Sequence, residues 1–320
     1  MTYYLGIDGG GSKTTCAVGN EKSNLATASA GPSNIVRVGE SRARKSLHDA
    51  IAQACAAANI DPRQIDHACI GVAGAAREET ASAVRRIVAD LIPTKIEVVG
   101  DMEIALEAAF GEGPGVIVIA GTGSIAYGRD AQGRTARAGG WGFAVSDEGS
   151  AHWIGRAAAA NLFRAIDNGE IAGKAAAEGS PLFRALSAAW NLHSIDELVR
   201  SANSDPDFAA LFPAVLAAAD AGDARSRRVL AQAGEELAQL AGVVLRRLFR
   251  DPHTTLLSIS LAMAGGVFRH AGTVREAFQK AICTANPEAH LNPEVVEPVR
   301  GALQRARKAG REHREGNEFA

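Results

Sequence analysis

The sequence contains few cysteines and no motif that pairs them. Its four cysteines, Cys16, Cys55, Cys69 and Cys283, are widely spaced over 320 residues, and no C-x-x-C pattern occurs. Zinc ribbons and dithiol redox centres depend on such pairs, so both classes lose support. We therefore expect free thiols and a reduced, cytoplasmic setting. The eight histidines form no H-E-x-x-H pattern, and we expect them to be solvated or structural.

The sequence also lacks a long apolar run and an excess of charge of one sign. No stretch approaches the roughly 20 apolar residues that a transmembrane helix needs, so we expect no membrane span. The start, Met1–Gly6, has no basic segment followed by an apolar one, and we expect no signal peptide. Lys and Arg total 34 against 36 Asp and Glu, a net charge of −2. This balance argues against nucleic-acid binding through a basic surface, although one loop can still hold a small anion.

The apolar and charged fractions are those of a globular protein. Hydrophobic residues make up 47% and charged residues 22% of the chain, which excludes a collagenous or wholly disordered protein. Buried-type strands alternate with segments of helical period, and this alternation indicates the α/β class. We predict strands at 3–8, 14–19, 67–72, 96–99, 116–120, 125–129 and 256–264, and helices at 41–58, at 78–91, within the alanine-rich region 151–249, and at 271–285.

Three glycine-rich turns each follow an apolar strand. They contain Gly9, Gly10 and Gly11, then Gly121 and Gly123, and then Gly265 and Gly266. Converging backbone N–H groups in such a turn bind phosphate, and glycine lets the phosphate oxygens approach closely. A tight turn without a ligand is the alternative for any one of them. The strand–turn–strand outline occurs twice, near 3–19 and 116–129, which predicts two related halves with a cleft between them.

Two common nucleotide motifs do not fit these turns. A Walker A loop requires lysine directly after its second glycine, whereas Ser12 follows Gly11 and Lys13 comes one place late. The run Gly121–Ala126 matches G-x-G-x-x-A, but that dinucleotide fingerprint requires a helix to begin at the turn. We predict a strand there instead, so we discard both motifs.

Several runs of residues resemble a known group of ATP-dependent enzymes. Leu5–Thr14 resembles the first phosphate motif of the sugar kinase, Hsp70 and actin superfamily, Ile119–Ser124 its second phosphate motif, and Ala262–Val267 its adenosine motif. Within that superfamily, Gly139–Gly142 followed by Ser146–Gly155 is similar to the N-acetylglucosamine kinases. These belong to the wider group of BadF/BadG/BcrA/BcrD-type ATPases. The resemblance extends over roughly residues 3 to 305.

The resemblance implies a fold, cofactors and an activity. It implies two ribonuclease H-like domains in an actin-like ATPase fold with a central nucleotide cleft, at 1–114 and 115–301, and a last helix at about 302–316 that returns to the first domain. ATP and Mg²⁺ are the implied cofactors. The implied reaction phosphorylates the 6-hydroxyl of an amino sugar, N-acetylglucosamine or glucosamine, and the implied assembly is a homodimer.

Two aspartates receive catalytic roles from this resemblance. Asp101, in Val99-Gly100-Asp101, matches the catalytic carboxylate and would act as general base toward the sugar 6-hydroxyl. The alternative is a helix N-cap, a position that suits aspartate. Asp8 would hold Mg²⁺ through bound water, because Mg²⁺ keeps several waters. Its alternative is a turn residue that bonds its own backbone.

The remaining site residues are also assigned by position in the resemblance. The nucleotide-binding residues are Gly9, Gly10, Gly11, Ser12, Lys13, Thr14, Gly121, Thr122, Gly123, Gly265 and Gly266. The sugar-binding residues are Asn34, Asp101, Ser124, Gly140, Trp141, Gly142, Asp147 and Ala151. Ser124 could contact sugar or phosphate. The residues alone leave three alternatives open: a solvated Lys13, a helix-capping Asp147, and a Trp141 that fills the core.

One departure from the family pattern bears on the substrate, and one other function competes. Ala73 and the pair Ala75-Ala76 stand where the animal enzymes have more polar residues, so an unacetylated amino sugar or another hexose derivative stays open. The competing function is an ATPase that acts on a protein partner without a sugar. Its relatives that drive electron transfer need clustered cysteines for an iron–sulfur centre, and the cysteines here are dispersed. A regulator without turnover would lack Asp8, Asp101 and Asp147, which are all present.

Overall fold

The computed structural model describes residues 2–75, 77–204, 206–249 and 259–318. The chain forms two five-stranded sheets with helices packed on them, so the predicted α/β class is confirmed. It divides into two compact units: Met1–Ile117 with Tyr127–Arg134 and Val296–Ala320, and Val118–Ala126 with Thr135–Val295. The domain boundary at 114–115 stays a prediction. Among the described residues, no helix combines the length and apolar character needed to cross a membrane.

The first sheet is mixed, with strand order β3-β2-β1-β4-β5. Its elements are β1 (Tyr3–Gly9), β2 (Thr14–Gly19), β3 (Asn24–Ala30), α1 (Ile35–Val38), α2 (Glu40–Ala58), β4 (Ile65–Val72), α3 (Glu78–Ala89), β5 (Lys95–Gly100) and α4 (Asp101–Phe110). β1 is antiparallel to β2 and parallel to β4, which is parallel to β5. Because parallel strands end at the same edge, Asp8 and Asp101 lie at one edge of this sheet.

The second sheet has strand order β10-β9-β6-β7-β8. Its strands are β6 (Gly115–Ala120), β7 (Ser124–Arg129), β8 (Thr135–Gly139), β9 (Ile259–Ala264) and β10 (Ala289–Val296). The alanine-rich region forms α5 (Ala151–Asp167), α6 (Gly173–Glu178), α7 (Pro181–Trp190), α8 (Ile195–Ala202), α9 (Phe212–Asp220) and α10 (Ala224–Leu248), and α11 (Gly266–His270) and α12 (Gly272–Ala285) follow β9. The predicted strand start at 256–258 lies outside the described residues.

The two faces of the first sheet carry separate cores because side chains alternate along β1. Leu5 and Ile7 pack with α2 and α3, whereas Tyr4 packs with α4 and the last helix, α13 (Pro298–Glu318). Glycine lets α13 approach closely. A Cβ at Gly301 would lie 1.9 Å from the Ile104 carbonyl oxygen of α4, and a Cβ at Gly6 would lie 2.4 Å from the α13 backbone. The end of the chain therefore covers one face of the sheet that its beginning forms.

Three strands, β3, β8 and β10, are not predicted from the sequence. All three are edge strands, and most of their residues are partly or fully exposed. An edge strand with a solvated face carries few apolar residues, so it lacks the buried-strand pattern that identifies β1, β4 and β6. After residue 285 we predict only a last helix at about 302–316, whereas the structure has β10 there and an α13 that begins at Pro298.

Candidate active site

The first glycine turn joins β1 to β2 and is closed by its own backbone. The Gly10 N–H group donates to the Lys13 carbonyl at 2.9 Å, and the Gly10 carbonyl accepts the Ser33 N–H group at 3.1 Å. Thr14 is fully buried, and its hydroxyl oxygen lies 2.8 Å from the Ser33 hydroxyl. The side chains of Ser12 and Lys13 are exposed at the tip of the turn. The turn is thus tied at its base to the segment after β3 and open at its tip.

A buried acceptor lies beside this turn. The Asn34 N–H group donates to the Gly10 carbonyl at 3.3 Å, while the Asn34 side-chain oxygen, Oδ1, is buried without a hydrogen-bond partner among the described residues. Leaving such an acceptor unpaired costs about 1–3 kcal/mol. A ligand that donates a hydroxyl or amide hydrogen to Asn34 would offset that cost. This position suits the sugar contact that the resemblance assigns to Asn34.

Asp101 is the first residue of α4 but does not cap it. The N-cap residue is Gly100, and its N–H group donates to Glu103 Oε1 at 3.0 Å. This bond is the half of a capping box in which the side chain at the third helical position accepts from the N-cap backbone. The Asp101 carboxylate accepts the adjacent Met102 N–H group at 3.0 Å, and the N–H group of Asp101 itself also bonds to it. The capping alternative for Asp101 is therefore wrong, because Glu103 performs that task. One carboxylate oxygen of Asp101 stays available for a proton.

The carboxyls of Asp8 and Asp101 both have raised pKa values. Burial, helped by the charge of Asp101, raises the pKa of Asp8 to about 7, and Lys13 opposes the shift. Burial likewise raises the pKa of Asp101, against the hydrogen bond from the Met102 N–H group. Two half-buried carboxylates at one edge of a sheet favour the binding of a cation, which stabilises their charged forms.

Asp8 has the chemistry of a Mg²⁺ ligand. Mg²⁺ prefers one or two carboxylates together with waters and substrate phosphates, rather than a cage of protein ligands. Within the part of the chain that the structure describes, no group of three or more His, Cys, Asp or Glu residues forms such a cage. A carboxyl whose pKa is raised to about 7 by burial and by a neighbouring negative charge fits a cation that relieves both effects. The residues present therefore fit the ion that the resemblance implies.

The second and third glycine turns meet at the end of β6. The Gly121 N–H group donates to the Gly123 carbonyl at 2.9 Å, and the Gly121 carbonyl accepts the Ala151 N–H group at 2.9 Å. Gly265 has φ +98°, and a Cβ there would lie 2.3 Å from the Ala120 carbonyl oxygen. Only glycine fits this close approach. The structure therefore brings together Gly121, Gly123 and Gly265, three of the predicted nucleotide contacts.

Asp147 is held at the base of the second turn. Its Oδ1 accepts the Ser124 N–H group at 3.3 Å, and the Ser124 hydroxyl donates to the Glu148 carbonyl at 2.7 Å. Asp147 has φ +67°, a left-handed conformation that non-glycine residues adopt rarely and often at functional sites. Burial raises the pKa of the Asp147 carboxyl, and the charge of Glu148 adds to that rise. Ser150 caps α5 by accepting the Trp153 N–H group at 3.1 Å, so the capping alternative for Asp147 is wrong.

The segment between β8 and α5, residues 140–146, which we call the sugar loop, projects an aromatic ring. Gly140 and Gly142 have φ of +70° and +99° on either side of Trp141. The Trp141 side chain is 68% exposed, which excludes the core-filling alternative. The guanidinium carbon of Arg137 lies 4.1 Å from the centre of the Trp141 ring. Trp141 is therefore a surface ring supported on one face.

Some residues of this region carry no sequence signal that we used. Glu103, the capping partner of α4, has the spacing of a capping box with Gly100, and that spacing could have identified it. Ser33 is fully buried against Thr14, and it belongs to a segment in which only Asn34 is assigned a role. Arg137 lies on β8, a strand that is not predicted. Of the residues that depart from the family pattern, Ala76 lies outside the described residues.

Comparison with known proteins identifies relatives over nearly the whole chain. The model of the BadF/BadG/BcrA/BcrD ATPase family matches residues 5–306. An N-acetylmuramic acid/N-acetylglucosamine kinase from Clostridium acetobutylicum is 34% identical over 295 residues, which cover 91% of this chain and 94% of that protein. An N-acetyl-D-glucosamine kinase from Dictyostelium discoideum is 28% identical over 93% of this chain and 96% of that protein.

Solved structures agree on the fold. A Chromobacterium violaceum protein classed provisionally as an N-acetylglucosamine kinase superposes with a TM-score of 0.71 at 23% identity, covering 95% of this chain and 98% of that one. A glucokinase of the ROK family from Streptomyces griseus, solved with glucose and AMPPNP, gives a TM-score of 0.57 at 16% identity, covering 96% and 99% of the two chains. Both share the two-sheet, actin-like ATPase architecture with this protein.

Proposed function

The chain belongs to the BadF/BadG/BcrA/BcrD ATPase family, and on that premise we propose that it is an ATP-dependent kinase that phosphorylates the 6-hydroxyl of N-acetylglucosamine or glucosamine. The observation that carries the proposal is the carboxyl of Asp101. It lies at a strand end, its pKa is raised, and it does not cap the helix that follows. The curated relatives cited above are named as amino sugar kinases, which supports the same activity.

Asp101 acts as the general base in this proposal. Its carboxylate accepts the proton of the 6-hydroxyl as that oxygen attacks the terminal phosphorus of ATP, and the bond from phosphorus to the bridging oxygen of ADP breaks. A raised pKa makes the carboxylate a better proton acceptor near neutral pH. Met102 N–H, 3.0 Å from Oδ1, fixes the carboxylate and leaves the second oxygen for the proton.

The glycine turns hold the nucleotide in this proposal. The phosphate chain binds to the backbone N–H groups of the first and second turns, and the adenosine lies against the third turn at Gly265 and Gly266. Asp8 would hold Mg²⁺, and that ion would supply neutralisation of the phosphate charge. The exposed Lys13 is placed at the tip of the first turn, where an ammonium group can reach a phosphate.

The sugar is bound by polar groups and one ring. Asn34 Oδ1, buried without a partner among the described residues, accepts a hydrogen from the sugar. Asp147, oriented by the Ser124 N–H group, accepts from sugar hydroxyls with charge-assisted hydrogen bonds. Trp141 walls the site, and Gly140 and Gly142 give the sugar loop the conformation that presents it. Ala151 lies at the start of α5, behind the second turn.

Sugar-dependent release of ADP tests this function. Purified protein with Mg-ATP is assayed against N-acetylglucosamine, glucosamine, N-acetylmannosamine, glucose and no sugar, and ³¹P NMR of the product identifies the phosphorylated position. We expect release that depends on an amino sugar and a 6-phosphate product. Equal release with and without every sugar would refute the kinase and favour an ATPase that acts on a protein partner.

The variant Asp101→Asn tests the assignment of the base. It keeps the size of the side chain and its bond to Met102 but cannot take a proton, so we expect kcat to fall about 100-fold or more while ATP binding, measured by calorimetry, is unchanged. Glu107→Gln removes one negative charge from the same helix and serves as the control, with kcat near the wild-type value. A nearly full rate for Asp101→Asn would remove Asp101 from the mechanism.

A further inference from the structure

The hydroxyl of Thr14 is directed into the protein and away from the open tip of the first glycine turn. Thr14 is fully buried. Its hydroxyl oxygen, Oγ1, lies 2.7 Å from the Gly31 carbonyl oxygen and 2.8 Å from the Ser33 hydroxyl oxygen. Both partners belong to the segment between β3 and α1, residues 31–34. The resemblance assigns Thr14 to the nucleotide, but segment 31–34 occupies its hydroxyl group.

The number of hydroxyl hydrogens fixes the direction of these two hydrogen bonds. A hydroxyl group donates one hydrogen and can also accept, whereas a carbonyl oxygen only accepts. Thr14 therefore donates to Gly31, and Ser33 donates its own hydrogen to Thr14 Oγ1, because only this assignment satisfies both contacts. Ser33 is also fully buried. The Thr14 hydroxyl thus joins two points of segment 31–34 and has no hydrogen left for a phosphate.

Packing around Gly9 closes the same side of the turn. A Cβ at Gly9 would lie 2.7 Å from the Ser33 hydroxyl oxygen and 2.6 Å from Cγ1 of Val72. The space beside the Gly9 Cα is therefore already filled by these two side chains. Because Ser33 contacts both Gly9 and Thr14, the side of the turn that carries the Thr14 hydroxyl is packed, whereas the Lys13 side chain at the tip is exposed.

Segment 31–34 ends in the buried acceptor that the proposed function gives to the sugar. The N–H groups of Ser33 and Asn34 share the Gly10 carbonyl at 3.1 and 3.3 Å, the long end of the range for such bonds. Asn34 is the N-cap residue of α1, but its side chain makes no capping bond. Its Oδ1 is buried without a hydrogen-bond partner among the described residues. The placement of this oxygen therefore depends on how firmly Gly31 and Ser33 are held.

We propose that Thr14 is a positioning residue for the acceptor sugar. Its hydroxyl fixes Gly31 and Ser33, and through them it holds Asn34 Oδ1 where that oxygen accepts a hydrogen from the sugar. A hydroxyl that is itself locked by hydrogen bonds can pre-organise a binding group without contacting the ligand. This inference rests on the proposed kinase function. It divides the first turn into two tasks, because the backbone N–H groups bind phosphate while the Thr14 side chain orients the sugar contact.

Steady-state kinetics of two threonine variants on the same strand tests this assignment, with N-acetylglucosamine and glucosamine as acceptors. Thr14→Val keeps the shape of the side chain and removes the hydroxyl. We expect KM for the sugar to rise about tenfold, the range of one lost hydrogen bond, while kcat and KM for ATP change less than about threefold. Thr15→Val is the matched control, because Thr15 is also buried in β2 and its Oγ1 lies 3.5 Å from the Ser29 hydroxyl oxygen, outside segment 31–34. We expect it to change neither KM.

Three further variants distinguish positioning from a loss of packing. Thr14→Ser keeps the hydroxyl and loses only a methyl group, so we expect both KM values to stay within about threefold of wild type. Ser33→Ala removes the hydrogen that Thr14 accepts and should raise KM for the sugar about threefold or more. In an Asn34→Leu background, which lacks Oδ1, Thr14→Val should raise KM for the sugar less than about twofold further, because its effect passes through that oxygen. Since KM does not depend on the amount of active protein, partial misfolding does not imitate these results.

The outcomes distinguish this inference from the proposed function. A rise in KM for ATP with an unchanged KM for the sugar in Thr14→Val would overturn the inference and assign Thr14 to the phosphate chain, with the kinase intact. Equal effects of Thr14→Val and Thr15→Val, or no effect of either, would also overturn it, since the Thr14 hydroxyl would then have no special role. Failure of every sugar to stimulate ADP release in the wild-type protein would overturn the proposed function itself, and this inference with it.

Discussion

At the scale of single residues, the carboxyl of Asp8 links the site to stability. Its pKa is raised to about 7, chiefly by burial, whereas an unfolded aspartate titrates near pH 4. Between these values the folded state holds a proton that the unfolded state has lost. The free energy of unfolding contributed by Asp8 is therefore fully present below about pH 4 and is lost as the pH rises to about 7.

The variant Asp8→Asn should remove this pH dependence. We expect the wild-type protein to lose about 1–4 kcal/mol of unfolding free energy between pH 5 and pH 8 relative to Asp8→Asn, which has no proton to lose. Urea denaturation at pH 5, 6, 7 and 8 without Mg²⁺ measures the difference. Lys13→Gln is the matched control, because Lys13 opposes the shift and its loss should steepen the dependence. Parallel curves for wild type and Asp8→Asn would contradict the buried, protonated state.

The role of a site residue could be predicted from the sequence only where it follows from the amino-acid type and from its position after a strand. The glycines of the three turns and the aspartates after strands are visible in the sequence. The left-handed conformation of Asp147 is not visible there, nor is the hydrogen bond that its carboxylate accepts from the Ser124 N–H group 23 residues earlier. The contact of Arg137 with the Trp141 ring could not be predicted either, because it requires β8. That edge strand has too few buried apolar residues to be recognised in the sequence.

At the scale of elements, the start of α4 decides how Asp101 is presented. Gly100 has no side chain to cap the helix, and Glu103 reaches back to the Gly100 N–H group at 3.0 Å. This division leaves Asp101 free for chemistry while the helix end stays satisfied. The sequence predicts the strand here, and a helix only through the capping alternative for Asp101. It does not predict which of the two acidic residues caps and which is free.

The variant Glu103→Ala should affect stability and catalysis together. Loss of the acceptor leaves the Gly100 N–H group unpaired, so we expect unfolding free energy to fall by about 1 kcal/mol. The displaced first turn of α4 misplaces Asp101, and we expect kcat to fall about tenfold with little change in KM. Glu103→Gln keeps an acceptor and should retain most of both properties. The control Glu107→Ala, on the same helix, should change neither.

Normal kcat in Glu103→Ala, despite reduced stability, would show that Asp101 is positioned without the capping box. Denaturation and steady-state kinetics on the same preparations separate the two effects. If Glu103→Gln lost as much activity as Glu103→Ala, the charge of Glu103 would be the property that matters, since its charge also contributes to the raised pKa of Asp101.

At the scale of the whole molecule, the first unit is built from both ends of the chain. Tyr4 of β1 is fully buried in a core that it shares with Cys69, Ile104 and the α13 residues Ala302 and Leu303. One face of the sheet that contains β1 therefore stays uncovered until α13, the last helix, packs on it. Contacts between the ends of a 320-residue chain carry a loop-closure cost that makes this step late and slow in folding.

A chain that ends at Glu297 should fail to form this unit. Removing α13 exposes the apolar face around Tyr4 and leaves the Glu97 carboxylate without its partner Arg305, 2.5 Å away. Burial of large apolar side chains contributes about 1.5–3 kcal/mol each, so several such losses exceed the usual stability of about 5–15 kcal/mol. We expect aggregation or loss of the cooperative transition in circular dichroism. A chain that ends at Arg314, which keeps the hydrogen bond to the Tyr4 hydroxyl, should unfold cooperatively, and equal behaviour of the two chains would show that the first sheet does not need α13.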